Sequence, residues 1–185
     1  MIYRLIGERA AHLQARLTPL SPEAAQDAML ANTAYRSGFQ AGEFNRDDFH
    51  FMDMIESYGP PVFSARFRDF CARHDVAAVF SPVDVFWGRE NILEWLGDAS
   101  EGFFTAVPPL VDVIDDGVTP MKFWPALRKF RREDFVITGE LPENQPLAVD
   151  LKRPHLMLCS PGFRRLAGAE GLLLDFEDLP CAPVG

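Results

Sequence analysis

The strongest constraint on this chain is a pattern that occurs twice. Residues 61–83 run Pro61-Val-Phe-Ser-Ala-Arg-Phe-Arg-Asp-Phe70, a polar break, then Val76-Ala-Ala-Val-Phe-Ser-Pro-Val83. Residues 156–178 run Leu156-Met-Leu-Cys-Ser-Pro-Gly-Phe-Arg-Arg-Leu166, a second break, then Gly171-Leu-Leu-Leu-Asp-Phe-Glu-Asp178. Aligned, Ser64 meets Ser160, Phe67 meets Phe163, Arg68 meets Arg164 and Phe70 meets Leu166. Each stretch is an apolar run, a serine, an amphipathic helical segment and a further apolar run. A strand–helix–strand unit is expected in each half of the chain.

The serine is the informative residue. Placed just before a helical segment, its hydroxyl can accept a hydrogen bond from the free N–H groups of the first turn. Phe63, Phe67, Phe70 and Cys71 then recur at helical spacing and define one apolar face, as do Phe163, Leu166 and Ala167. Pro161 suits the first helical position. Neither serine stands in the G-x-S-x-G setting of a nucleophile elbow, so both read as helix caps.

The rest of the chain supplies further elements without strict alternation. Strands are expected at 1–6, 103–106, 110–114, 135–138 and 147–151. Helices are expected at 8–17, 21–30, 46–58 and 90–96, with a basic helix-like segment at 125–132. Residues 35–45 and 83–89 read as irregular connectors, and 180–185 as a loose tail. Several strands are joined by short turns and must pair antiparallel, so the fold class is mixed α+β, with a largely antiparallel sheet and two similar strand–helix–strand units. At 185 residues the chain fits one domain spanning 1–185.

Composition narrows the classes of function. There are 16 phenylalanines and 48% hydrophobic residues, enough for a substantial core. No apolar run approaches the 18 or so residues of a membrane span, and the first residues do not form a signal-peptide pattern. Three cysteines, Cys71, Cys159 and Cys181, do not suggest a disulfide framework. A cytoplasmic protein without a membrane partner is the expectation.

The net charge of −9 is unevenly distributed. Positions 84–116 hold Asp84, Glu90, Glu94, Asp98, Glu101, Asp112, Asp115 and Asp116 against Arg89 alone. Such a field repels a phosphate backbone and attracts basic partners, so nucleic acid is not an expected partner. Trp87 and Trp95 fall in the same stretch, and tryptophan often anchors protein interfaces. Their spacing beside Ile92, Leu93 and Leu96 equally suits a place in the core. The candidate partner-binding residues are Trp87, Glu90, Glu94, Asp115 and Asp116.

Catalytic patterns are sparse. The chain has no glycine-rich phosphate loop, Rossmann fingerprint, H-E-x-x-H or EF-hand loop. Cys71-x-x-His74 and His155-x-x-x-Cys159 together have a zinc-like inventory. However, His155 and Cys159 fall in an expected strand, where four residues span roughly 13 Å, too far for one tetrahedral ion. No metal and no cofactor are expected. Asp112, Asp115 and Asp116 could form a carboxylate site for magnesium or for acid–base work, although Asp115-Asp116-Gly117 also suits a turn.

Longer phrases of the sequence resemble a known family. Gly59-Pro-Pro-Val-Phe-Ser-Ala-Arg-Phe-Arg-Asp-Phe70 with Phe80-Ser-Pro-Val83 is similar to the central motif of bacterial immunity-protein family eleven, whose members are encoded beside polymorphic toxins. Phe103-Phe-Thr-Ala, Leu110-Val-Asp-Val-Ile-Asp115, Arg153-Pro-His-Leu-Met-Leu-Cys-Ser160 and Gly171-Leu-Leu-Leu-Asp-Phe176 extend the similarity over roughly residues 46–178. The resemblance implies a non-enzymatic antitoxin that binds a cognate toxin with a basic surface; it brings no catalytic residues. The alternative is a small, possibly hydrolytic enzyme using the carboxylates near 112–116. Oligomeric state is left open by the sequence.

Overall fold

The computed structural model describes residues 1–7, 17–19, 37–41, 53–55, 60–87, 89–92, 102–117, 121–124, 129–132 and 136–179. Among these residues are two α-helices and fourteen strands, in a mixed α+β arrangement. The first half contains β1 (Tyr3–Gly7), β2 (Leu17–Pro19), β3 (Ser37–Ala41), β4 (Met54–Ile55), β5 (Val62–Ser64), helix α1 (Ala65–Arg73), β6 (Val79–Trp87) and β7 (Glu90–Asn91). It is followed by β8 (Phe103–Val107), β9 (Leu110–Val111), β10 (Met121–Trp124), β11 (Lys129–Arg132), β12 (Leu147–Asp150), β13 (Arg153–Cys159), helix α2 (Pro161–Ala169) and β14 (Leu174–Asp178).

The strands form two principal sheets. One has the order β14-β1-β13-β12-β9, the other β2-β3-β6-β8-β5-β4 with β7 beside β6, and β10–β11 form a separate hairpin. Most pairings are antiparallel; β9–β12 and β3–β6 are parallel. Both helices begin where the serines require. Ser64 Oγ accepts from Phe67 N–H, and Ser160 Oγ from Phe163 N–H, each at 3.1 Å. Both serines hold extended backbone, as cap residues do.

The helical faces set the main core. Phe67 is fully buried and its ring lies 4.4 Å from Phe63, 6.3 Å from Phe80 and 6.3 Å from Phe163, centroid to centroid. Phe70 meets Phe163 edge-on at 5.5 Å. These aromatic contacts join α1 to α2, so one cluster gathers side chains from both sheets, including Leu5, Met54, Ala106, Val149, Met157 and Leu174. Along β13 the residues alternate: Met157 and Cys159 enter this cluster, while Leu156 and Leu158 join Ile2, Val113, Ile114 and Ile137 in a second one. Side chains of period two point to opposite faces, so the five-stranded sheet is covered on both sides.

Several expectations are corrected. Leu166, expected on the apolar face of α2, is exposed; Phe163 and Ala167 are the residues that this helix buries. Within the expected helix 46–58, Met54–Ile55 is a strand, and its pairing with Phe63 and Val62 overrides local helical composition. Ser37–Ala41, within the expected irregular segment, is held between β2 and β6. Strand β6 runs on through the expected connector to Trp87, since Val83 and Val85 alternate into the core. Glu90–Asn91 pairs with Phe86 and Trp87 rather than opening a helix, and Lys129–Arg132 pairs with β10 rather than ending one. Leu17 opens β2 rather than closing a helix. Among the described residues of the expected strands 110–114 and 135–138, Leu110–Val111 is a strand, and Ile114 and Ile137 make a single bridge. The segments expected as helix at 21–30 and as tail at 180–185 lie outside the described residues.

Candidate interaction site

The acidic residues singled out by the sequence are carried by two different parts of the fold. Trp87 ends β6, and Glu90 of β7 is its partner across the hairpin. On the same strand, Asp84 accepts a hydrogen bond from Asn91 Nδ2 at 3.2 Å. Glu94 lies outside the described residues. Asp115 and Asp116 follow the edge of the five-stranded sheet. There the Asp115 N–H reaches Val136 O and Thr138 N–H reaches Val113 O, fixing the path of the segment.

Each carboxylate of 112–116 has a local function. Asp112 is exposed and accepts from Lys152 Nζ at 2.9 Å; that hydrogen bond lifts the lysine pKa above its ordinary value. Asp115 Oδ1 accepts from Gly117 N–H at 2.6 Å, a side-chain-closed turn of the kind aspartate favours. Asp116 is paired with Arg153, whose other terminal nitrogen donates to Asp150 Oδ1 at 3.1 Å. Asp150 is wholly buried, and the same oxygen also accepts from Lys152 N–H at 3.1 Å. Lys152 lies in the β12–β13 turn and Arg153 opens β13, about forty residues along the chain. The acidic segment is therefore partly compensated by cations that the local sequence does not reveal.

A second polar network was missed altogether at the sequence level. Asp53 is 2% exposed. Its Oδ1 accepts from Ser64 Oγ at 2.6 Å, and its Oδ2 from Leu173 N–H at 2.7 Å and Arg66 Nη1 at 3.4 Å. Arg66 Nη2 also donates to the carbonyls of Glu170 and Gly171, at 2.7 and 2.8 Å. Glu170 in turn pairs with Arg73 and His74 at the end of α1. Hydrogen bonds from His74 and Arg73 hold the Glu170 carboxyl below the usual carboxylate range. The network ties α1 to the end of α2. It also commits the Ser64 hydroxyl to capping α1 and to Asp53.

Cys71 lies on the buried face of α1 and Cys159 in β13; both are free thiols in the core. Burial pushes the Cys71 thiol up to about 12 and also raises that of Cys159. Among the described residues no group of three or more His, Cys, Asp or Glu side chains is placed to hold a metal ion. Among them, too, no helix is long and apolar enough to cross a membrane. No protein-family model matches the sequence, and no curated protein matches it.

Proposed function

We propose that this protein is a non-enzymatic immunity protein, acting in the cytoplasm of a bacterium that encodes it beside a polymorphic toxin, and binding that toxin through an acidic face. The observation that carries the reading is the charge of the 84–116 segment. In sequence it holds eight carboxylates against Arg89 alone, and Lys152 and Arg153 pair with Asp112 and Asp116 from outside it. Active-site clefts that handle nucleic acid or phosphate are basic, and an acidic surface is complementary to them. The sequence resemblance to immunity-protein family eleven supports the same reading. The hydrolytic alternative gains nothing from the site, because Asp112 and Asp116 are ion-paired and Asp115 closes a turn.

The test is co-expression with the C-terminal domain of the adjacent toxin, scoring survival and measuring association by surface plasmon resonance. Reversing Glu90, Glu94, Asp115 and Asp116 to lysine should slow association about tenfold or more at low salt, with the loss shrinking as ionic strength rises. Protection and an association rate unchanged by the reversal would remove the acidic face from the interface. No protection by the unaltered protein would refute the immunity reading itself.

A further inference from the structure

The two helices are embedded in the same arrangement of strands. Helix α1 is preceded by β5 and followed by β6, and β8 lies between these two strands, antiparallel to both. Helix α2 is preceded by β13 and followed by β14, and β1 lies between them, again antiparallel to both. A shift of 96 positions, which carries Ser64 onto Ser160 and Phe67 onto Phe163, also carries one set of registers onto the other. Phe104 faces Phe63 on one side and Pro82 on the other; Tyr3 faces Cys159 and Asp178, the corresponding positions. Thr105 faces Val62 and Ser81, and Arg4 faces Leu158 and Glu177. On the outer flank, Met54 and Ile55 pair with Phe63 and Val62, as Leu147 and Ala148 pair with Cys159 and Leu158.

Finer details follow the same shift. Ser64 N–H donates to Asp53 O and Ser160 N–H to Pro146 O, at 3.2 and 2.9 Å. Val76 N–H closes on Cys71 O and Leu172 N–H on Ala167 O, at 2.9 and 3.0 Å. Asp75 and Gly171, which leave the two helices, both adopt positive φ, at 52° and 65°. The guanidinium of Arg68 stacks 4.5 Å above Phe104, and that of Arg164 4.6 Å above Tyr3. A one-residue slip would turn every side chain of a strand to the wrong face, so agreement on both flanks of the inserted strand is a demanding coincidence.

We infer that the chain is an internal duplication in which β1 is the closing strand of the C-terminal half, carried at the front of the sequence. Strand β1 stands to β13–α2–β14 as β8 stands to β5–α1–β6. The geometry allows a direct connection: Leu179 N–H donates to Ile2 O at 3.3 Å, so β14 ends where β1 begins. The inference is independent of the toxin-binding reading. It makes residues 3–7 part of the C-terminal folding unit, although their chain neighbours run toward β2 and β3.

Two measurements on the complete chain test it. In native-state hydrogen exchange, β1 amides should open together with β13, α2 and β14, and β8 amides with β5, α1 and β6. Opening of β1 by itself, or with β2 and β3, would overturn the inference. Second, a circular permutant retains all 185 residues, joining Gly185 to Met1 and opening the chain between Gly7 and Glu8. It should melt cooperatively within about 5 °C of the parent, as loop changes of modest entropy allow. The same head-to-tail join, opened instead between Glu143 and Asn144, is the control. A folded control with an unfolded Gly7–Glu8 permutant would show that β1 depends on its connection toward β2, and failure of both would show that β1 cannot follow β14; either result would overturn the inference.

Discussion

Truncating Phe67 to alanine removes the ring at which α1, its own sheet and α2 meet. The side chain is fully buried, and four phenylalanines have ring centroids between 4.4 and 6.5 Å from its own. Core Phe→Ala changes cost about 3–5 kcal/mol, combining lost transfer energy with the cavity left behind. Aromatic pairs contribute about 0.5–1.5 kcal/mol each beyond buried area. These terms overlap, but they place Phe67→Ala at the upper end, about 4–5 kcal/mol. Domains of this length lose roughly 2–4 °C of melting temperature per kcal/mol, so the midpoint should fall by about 8–20 °C. Urea denaturation followed by tryptophan fluorescence, with calorimetry for the thermal midpoint, measures both quantities. Leu166→Ala on α2 is the matched control: that side chain is 42% exposed and its loss should cost about 0.5 kcal/mol. A Phe67→Ala variant within about 1 kcal/mol of the parent would refute the packing that joins the two helices.

Other perturbations separate the remaining interactions. Ser160→Ala should cost about 1 kcal/mol as a lost cap. Ser64→Ala should cost about 2–3 kcal/mol, because its hydroxyl also donates to buried Asp53; equal losses by urea titration would contradict the Asp53 contact. Cys71 and Cys159 should resist a thiol reagent at pH 7.5 and react promptly in denaturant, since burial raises both pKa values; rapid labelling of the native protein at either site, located by mass spectrometry, would refute their burial. Glu170, with its pKa lowered by His74 and Arg73, contributes stability that is present above the unfolded-state value. That contribution is lost as pH falls through the lower folded-state value. Glu170→Gln should therefore lessen the decline of the melting temperature below about pH 4.5; parallel acid limbs would contradict the clasp.

What was legible in the sequence was local. A serine ahead of phenylalanines at helical spacing announces a capped helix, because the cap bond spans three residues and the apolar face repeats every turn. Both helices, the serines at their N-termini and the burial of Phe67 and Phe163 follow from that signal, and the α+β class from the runs around it. The length of β6 was also readable in principle, since Val83-Asp-Val-Phe alternates, but Pro82 suggested an ending. Short strands such as β4 and β7 carry too few residues for any period. They are strands because a neighbouring strand supplies hydrogen-bond partners, as Phe63 and Val62 do for Met54 and Ile55. The role of Asp53 depends on Leu173, 120 residues away, and Asp112 and Asp116 meet Lys152 and Arg153 across 40 and 37 residues. Charge counted along the sequence therefore overstated the acidic field. The seat of β1 between β13 and β14 was equally invisible, because a strand's neighbours are chosen by which sheet can bury its face. Only the folded chain, in bringing those distant groups within hydrogen-bonding reach, makes that choice.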